Sequence, residues 1–188
     1  MSRATQSTDE ALDAVLHAAD ALFYGRGVTA VTMADIRDQS GVSFRRLYSL
    51  FPCKTDLVTG WLTRRHQTWM AMFEDGILQR SARGAEPVDA IFDSLEAWLV
   101  ATDFRGCGFI NTLAETGEVT DEHRAIIRAH KQALVDFLDR FTDNPEALAV
   151  VIDGAIVQAS VFASVEPVKA ARLAGAPLTT PRSTLEKS

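Results

Sequence analysis

Residues Val15–Trp61 read VLHAADALFYGRGVTAVTMADIRDQSGVSFRRLYSLFPCKTDLVTGW. This stretch holds the stop signal of one helix and the start and stop signals of two more. Around its beginning, Leu12, Val15, Leu16, Ala19, Leu22 and Phe23 recur at spacings of three and four. That places them on one face of a helix over residues 9–24. Ser7 followed three residues later by Glu10 is a capping box for its first turn. Gly25 and Gly27 end it, because glycine accepts the left-handed backbone of a C-terminal cap. A shorter helix is expected over Met33–Ser40, opened by Thr32 with Asp35 three residues on and broken at Gly41-Val42. Ser43 then caps a third, Phe44–Leu50, which Phe51-Pro52 stops. Two helices of about two turns joined at a glycine have the layout of a helix-turn-helix.

Outward from this stretch the pattern stays helical. A long helix is expected from Lys54 to about Arg80, with Trp61, Leu62, Trp69, Met70, Phe73 and Leu78 along it, then a loop over Ser81–Pro87. Val88–Ala101 follows with Ile91, Phe92, Leu95, Trp98 and Leu99 on its apolar face, and Asp103–Gly108 (DFRGCG) is a glycine-marked corner. Helices over Phe109–Thr116 and Asp121–Phe141 come next, with Pro145 suited to a first helical turn. Leu148–Val165 is almost continuously small and apolar, and a last helix near Val168–Ala174 precedes a Pro/Thr/Ser tail expected to fray. No period-2 alternation marks a strand and there is no internal repeat, so the chain is all-α.

With 47% hydrophobic and 23% charged residues over 188 positions, the chain can bury a core and is not of disordered composition. Its net charge of −6 argues against a nucleic-acid partner only while it is taken as one number. Residues 1–64 hold seven Lys/Arg and seven Asp/Glu, and the rest of the chain carries the whole imbalance. Within 32–65 six basic groups (Arg37, Arg45, Arg46, Lys54, Arg64, Arg65) face three acids (Asp35, Asp38, Asp56). A local positive field of that kind is enough to meet phosphate at close range, although an ordinary solvated face has the same composition. Two cysteines, Cys53 and Cys107, suggest no disulfide framework. No signal sequence opens the chain and no apolar run approaches the roughly 18 residues of a membrane span, so a soluble cytoplasmic protein with no membrane partner is expected. No nucleophile elbow, phosphate loop or metal-ligand cluster occurs; no catalytic residue, metal or cofactor is expected, and an enzyme is not.

The stretch Val15–Trp61 resembles the DNA-binding domain of the tetracycline-repressor (TetR) family. The matching landmarks are Leu22-Phe23 before Gly27, Thr32-Met33-Ala34-Asp35-Ile36, Gly41-Val42-Ser43, Leu47-Tyr48 and Phe51-Pro52-x-Lys54, in register and without a gap. Beyond this stretch the likeness is one of length and helix count, with RGCGFIN and Ile152–Ala155 (IDGA) similar to a subset of members. The resemblance implies nine helices, a homodimer, an inverted-repeat double-stranded DNA operator and a small-molecule effector pocket in the C-terminal domain. The implied division is a helix-turn-helix DNA-binding domain over 1–53, a ligand-binding and dimerisation domain over 54–176, and a flexible tail over 177–188. The implied function is a ligand-responsive repressor released by a small apolar molecule, with an activator or a ligand-independent DNA-binding protein as alternatives.

A recognition helix places its N-terminal side chains on base edges in the major groove. Arg45 and Arg46 sit there, and arginine bonds bidentately to guanine O6 and N7. The family more often has Lys at 44, a small residue at 45 and Thr or Ser at 46, so Phe44-Arg45-Arg46 departs from it toward guanine readout. Phe44 either touches a thymine methyl or packs. Thr32, Ser43 and Tyr48 offer hydroxyls to phosphate, and Lys54 begins the fourth helix where a cation and backbone N–H groups hold one phosphate together. Leu47, Leu50 and Phe51 are core. Cys53 stands where the family usually has a capping Ser; cysteine caps weakly, and a thiol at a helix N-terminus also admits a redox role.

For the effector pocket, apolar lining with a few polar groups selects Trp61, Met70, Phe73, Phe92 and Trp98 with Cys107, Asn111, Glu115 and His130. Each aromatic among them also fits plain core packing, and Cys107 a small buried hydrophobe. His123 and His130 lie seven residues apart, too far for one metal, and are expected on a solvated face. The Leu148–Val165 helix, apolar on most sides, needs burial on most sides, and a second copy of the chain is the simplest partner.

Overall fold

The computed structural model describes residues 7–100, 104–115 and 119–179. Among these residues there are nine α-helices and no strand: α1 (Thr8–Arg26), α2 (Met33–Ser40), α3 (Phe44–Leu50), α4 (Lys54–Ala82), α5 (Pro87–Leu99), α6 (Gly108–Ala114), α7 (Asp121–Leu138), α8 (Pro145–Phe162) and α9 (Glu166–Gly175). A short 3-10 turn follows over Ala176–Thr179, in which Thr179 is buried. The remainder of the expected tail, 180–188, lies outside the described residues. Two compact units form, one running to Gln67 and including Gly108–Arg128, the other made of Thr68–Cys107 and the chain from Ala129 onward.

In the first unit the helix ends follow from their caps. Ser7 and Glu10 bond reciprocally, Glu10 N–H to Ser7 Oγ at 3.1 Å and Ser7 N–H to Glu10 Oε2 at 2.8 Å. Thr32 and Asp35 form a second capping box, and Ser43 Oγ accepts from Arg46 N–H at 3.3 Å. Gly41 is left-handed at φ 69°, which ends α2 and turns the chain into α3. Val15, Phe23, Ile36, Leu47, Leu57 and Trp61 are buried. Phe23 meets Trp61 edge-on at 5.3 Å. Asp20 Oδ1 accepts from both Trp61 Nε1 and Arg65, each at 2.7 Å, while the Arg65 guanidinium rests 3.7 Å from the Tyr24 ring. One carboxylate thus ties the first half of α4 to α1.

The histidines depart from the sequence expectation. His123 and His130 are both buried rather than solvated. In the first unit, His123 Nδ1 accepts from Thr120 N–H at 3.3 Å and Nε2 lies 3.2 Å from Thr55 O, so this ring works as a buried tie between the starts of α7 and α4. In the second unit, His130 lies edge-on to Trp69 at 5.3 Å.

The second unit packs α9 against both α5 and α8. Arg172 donates to Asp89 at 2.7 Å and to Asp93, and Lys131 donates to Asp153 at 2.6 Å, joining α7 to α8. Helix α7 stops at Leu138, three residues short of expectation, because Thr142 accepts from Asn144 N–H and donates to Leu178 O, fixing a turn there. Pro145 opens α8, where its missing N–H has no intrahelical partner to lose. Helix α8 is also, against expectation, long and apolar enough by length and composition to cross a membrane. It has 18 residues of mean hydropathy 1.5, of which 39% are buried; Glu146 and Asp153 interrupt the uncharged run. One of its faces is open in the single chain, with Val150 at 71% and Val161 at 70% exposure.

Gly175 is required by packing. A Cβ there would lie 2.6 Å from Phe92 Cε2, 2.8 Å from Phe92 Cζ and 3.2 Å from Leu148 Cδ1. Phe92 is fully buried and has nowhere to move. Gly175→Ala is therefore expected to destabilise this unit by about 1–3 kcal/mol, the usual size of an overpacking penalty. Urea denaturation followed by circular dichroism at fixed protein concentration measures it.

Candidate nucleic-acid interface

Helix α3 is capped by Ser43, whose Oγ accepts from Arg46 N–H, so its side chains from position 44 onward project from a well-capped first turn. Leu47 is fully buried and anchors the helix. Phe44, Arg45 and Tyr48 are exposed. Arg45 makes no hydrogen bond or ion pair among the described residues. Arg46 is half-exposed and donates to Thr8 Oγ1 at 2.7 Å, which ties it to the start of α1. Phe44 and Tyr48 stack with centroids 5.9 Å apart and planes at 23°, and Arg37 of α2 places its guanidinium 4.4 Å from the Phe44 centroid. That role of Arg37 was not visible in the sequence, where nothing ties it to Phe44 across two helices.

The other candidate phosphate contacts are partly engaged within the protein. Thr32 Oγ1 donates to Asp35 Oδ2 at 2.7 Å and accepts from Asp35 N–H at 3.2 Å. The Thr32 hydroxyl bond first, and then the Thr32 N–H bond to the same oxygen at 2.8 Å, hold the Asp35 carboxyl below its ordinary range. Lys54 starts α4. Cys53 does not act as a capping acceptor: its Sγ donates to Asp56 Oδ2 at 3.2 Å, and its N–H to the same oxygen at 3.3 Å.

The candidate effector residues fall into both units. Trp61, Asn111 and Glu115 border a pocket of about 60 Å³ in the first unit, together with Phe23, Tyr24, Gly27, Gly108 and Thr112. Met70, Phe73, Phe92, Trp98, Cys107 and His130 belong to the second. There Trp69 stacks on Phe73 at 4.8 Å and meets Trp98 edge-on at 5.6 Å, while its buried Nε1 has no hydrogen-bond partner. Cys107 is buried, 3.8 Å from Lys131 Nζ.

Glu115, just past the end of α6, does something sequence reasoning missed. Its Oε1 accepts from Val28 N–H at 2.9 Å and its Oε2 from Thr29 N–H at 2.6 Å, clamping the loop that leads into α2. Gly27, at φ 86°, makes room, since a Cβ there would sit 3.1 Å from Oε1. Burial pushes the Glu115 carboxyl up, but the Thr29 and Val28 bonds and the nearby Lys54 charge outweigh it, leaving the pKa lowered. A lowered folded-state pKa means that the clamp's stabilisation is complete above the ordinary value of 4.5 and is lost as pH falls through the folded value. Glu115→Gln, which faces an NH2 toward a backbone N–H, is expected to lose about 1–3 kcal/mol at neutral pH. It should also lose less than wild type on acidification below pH 4.5, read by urea denaturation across a pH series.

A capped helix-turn-helix with an exposed, arginine-bearing second helix, followed by a separate helical unit, defines the class of DNA-binding regulators. Residues 15–59 match the family described as bacterial regulatory proteins, tetR family. A TetR-family transcriptional regulator from Streptomyces coelicolor is 26% identical, with 91% of this chain and 88% of that one covered and a TM-score of 0.74. Two further solved structures share the fold: NemR of E. coli in its reduced form (16% identity, 93% and 99% covered, TM-score 0.77) and a TetR-family regulator from Agrobacterium tumefaciens (19%, 93% and 100%, 0.72). No curated protein sequence matches the chain. Residues 15–59 therefore form a DNA-binding domain of the tetR-family type, and the chain as a whole shares the fold of solved TetR-family regulators.

Proposed function

We propose that this protein is a cytoplasmic, homodimeric repressor that binds an inverted-repeat operator and leaves it when a small apolar molecule enters the second unit. The observation that carries the DNA half is α3 itself, whose first turn offers Phe44 and an unpaired Arg45 to solvent. Arg45 and Arg46 read guanine, while Ser43, Tyr48 and Lys54 fix the register on phosphates, and Thr32 joins them by giving up its hydroxyl bond to Asp35.

Dimerisation is supported by α8 and α9. Between them lies an apolar groove of about 460 Å³ lined by Val151, Gly154, Ala155, Gln158, Pro167, Ala170, Ala171 and Ala174. Beside it Val150, Val161 and Phe162 stand exposed. A second copy covers this surface, and its two-fold symmetry suits a palindromic site.

The effector is received near Trp69, whose buried and unpaired Nε1–H is a donor waiting for an acceptor. Met70, Phe73, Trp98 and His130 complete an apolar setting with few polar groups, as small-molecule sites have. Helix α4 contributes to both units and starts at Lys54, so a ligand that binds two positions of α4 with different affinity shifts operator binding by that difference. The test is fluorescence anisotropy on DNA flanking the protein's own coding region, with competitor DNA and then a panel of apolar small molecules. Binding that resists competitor and weakens with one compound supports the proposal. Operator affinity unchanged at saturating occupancy of a bound compound overturns the release mechanism.

A further inference from the structure

Two aromatic rings on α3 have no use inside the fold. Phe44 is 38% exposed and Tyr48 46%, yet they stack on one another instead of turning inward. Lying four residues apart, they share one face of the helix. Phe44 is further held by Arg37 of the preceding helix, whose guanidinium covers the ring while its Nε donates to Asp38 Oδ1 at 2.7 Å. The phenyl ring is thus an apolar surface fixed in position before any partner arrives.

We propose that Phe44 reads the C5-methyl group of a thymine in the major groove, with Arg37 and Tyr48 as the residues that position it. This rests on the DNA-binding reading of α3 given above. The thymine methyl is the one apolar group that base edges present in the major groove. A phenyl ring neither donates nor accepts, so against any other base edge it strips water from a polar group and returns nothing. Phe44 is the first residue of α3, at the end of a recognition helix that meets bases. A protein partner is the poorer occupant, since two rings fall far short of the roughly 800 Å² per side that a specific interface buries.

The experiment uses the full-length protein and a randomised DNA duplex pool, from which bound duplexes are selected and sequenced. Each thymine of the selected site is then replaced by deoxyuridine, which lacks only the methyl. At the decisive position, cytosine and 5-methylcytosine are also compared, opposite guanine. Wild type is expected to lose about four-fold in affinity at one thymine per half-site, the size of burying one methyl group. 5-Methylcytosine should recover a similar factor over cytosine. In Phe44→Ala the thymine-to-uracil ratio should fall to about one. In Arg37→Ala it should shrink although the protein still binds, a change that mere loss of a structural contact, weakening both duplexes alike, would not produce. A flat uracil scan in wild type overturns the proposal, even if Phe44→Ala proves too unstable to measure. So does an undiminished ratio in Phe44→Ala. A pool with no enriched sequence overturns the DNA-binding reading of α3 itself, and is distinguishable from a selected site that ignores the methyl.

Discussion

Trp61→Ala is expected to lower the stability of the first unit by about 3–5 kcal/mol, the range found for removing a buried aromatic ring. Total stabilities of single domains run to only about 5–15 kcal/mol, so the loss takes a large share of the total. The side chain's burial and two contacts go at once. The ring is 1% exposed, it packs edge-on to Phe23 at 5.3 Å, and its Nε1–H bonds Asp20 at 2.7 Å. Trp61→Phe separates these contributions. It keeps most of the packing and removes the donor, and Asp20 retains its bond from Arg65. That change should cost about 1 kcal/mol for the hydrogen bond plus a smaller packing loss. Urea denaturation by circular dichroism, at one protein concentration, compares the three. If alanine and phenylalanine lose equally, the hydrogen bond and not the ring holds α1 to α4. If alanine loses less than about 1 kcal/mol, the side chain is not the keystone its burial implies.

The parts of the fold that were legible beforehand are those whose causes are local. Ser7 with Glu10, Thr32 with Asp35, and Ser43 all cap helices within three residues, so α1, α2 and α3 lie where those residues put them. The place of Arg45 and Arg46 in the first turn of α3 was legible for the same reason, since a capped short helix after a glycine turn dictates which residues lead it. What escaped depends on groups far apart in the chain. Glu115 meets Val28 and Thr29 across 87 and 86 positions, and His123 meets Thr55 across 68. A histidine on an otherwise polar helix turn looks solvated until the carbonyl that buries it is known. Asp20, which accepts from both Trp61 and Arg65, looks like any surface acid of an amphipathic helix. The compact units divide after Gln67, within unbroken α4, and the chain re-enters the first at Gly108. A helix that continues through a boundary leaves no Gly/Pro or charge signal there. Helix α8 escaped for the opposite reason. Being apolar nearly all round, it has no preferred face, so its pattern did not reveal which side the single chain leaves open.

Arg45→Ala and Arg46→Ala should differ in their effect on DNA binding although they are neighbours of the same type. Arg45 is unengaged among the described residues, so the guanine contact proposed for it costs no bond inside the protein. Its loss should remove a full bidentate contact, about 1–3 kcal/mol, and relax the preference for guanine at one position per half-site. Arg46 first has to leave Thr8 Oγ1. The net value of its DNA contact is reduced by that bond, about 0.5–1.5 kcal/mol for a neutral acceptor and somewhat more for a charged donor. Arg46→Ala should therefore weaken binding less than Arg45→Ala. Thr8→Ala, which frees Arg46, should leave binding equal or slightly tighter. The double substitution should approach the affinity for unrelated DNA. Anisotropy titrations over a range of salt concentrations distinguish base contact from phosphate contact: losing a phosphate contact lowers the slope of log affinity against log salt by about one, whereas losing a base contact leaves it unchanged. A drop in slope for Arg45→Ala with all sequences weakened alike would move Arg45 from base to backbone. In that case the specificity of α3 would rest on Arg46 and on the ring of Phe44.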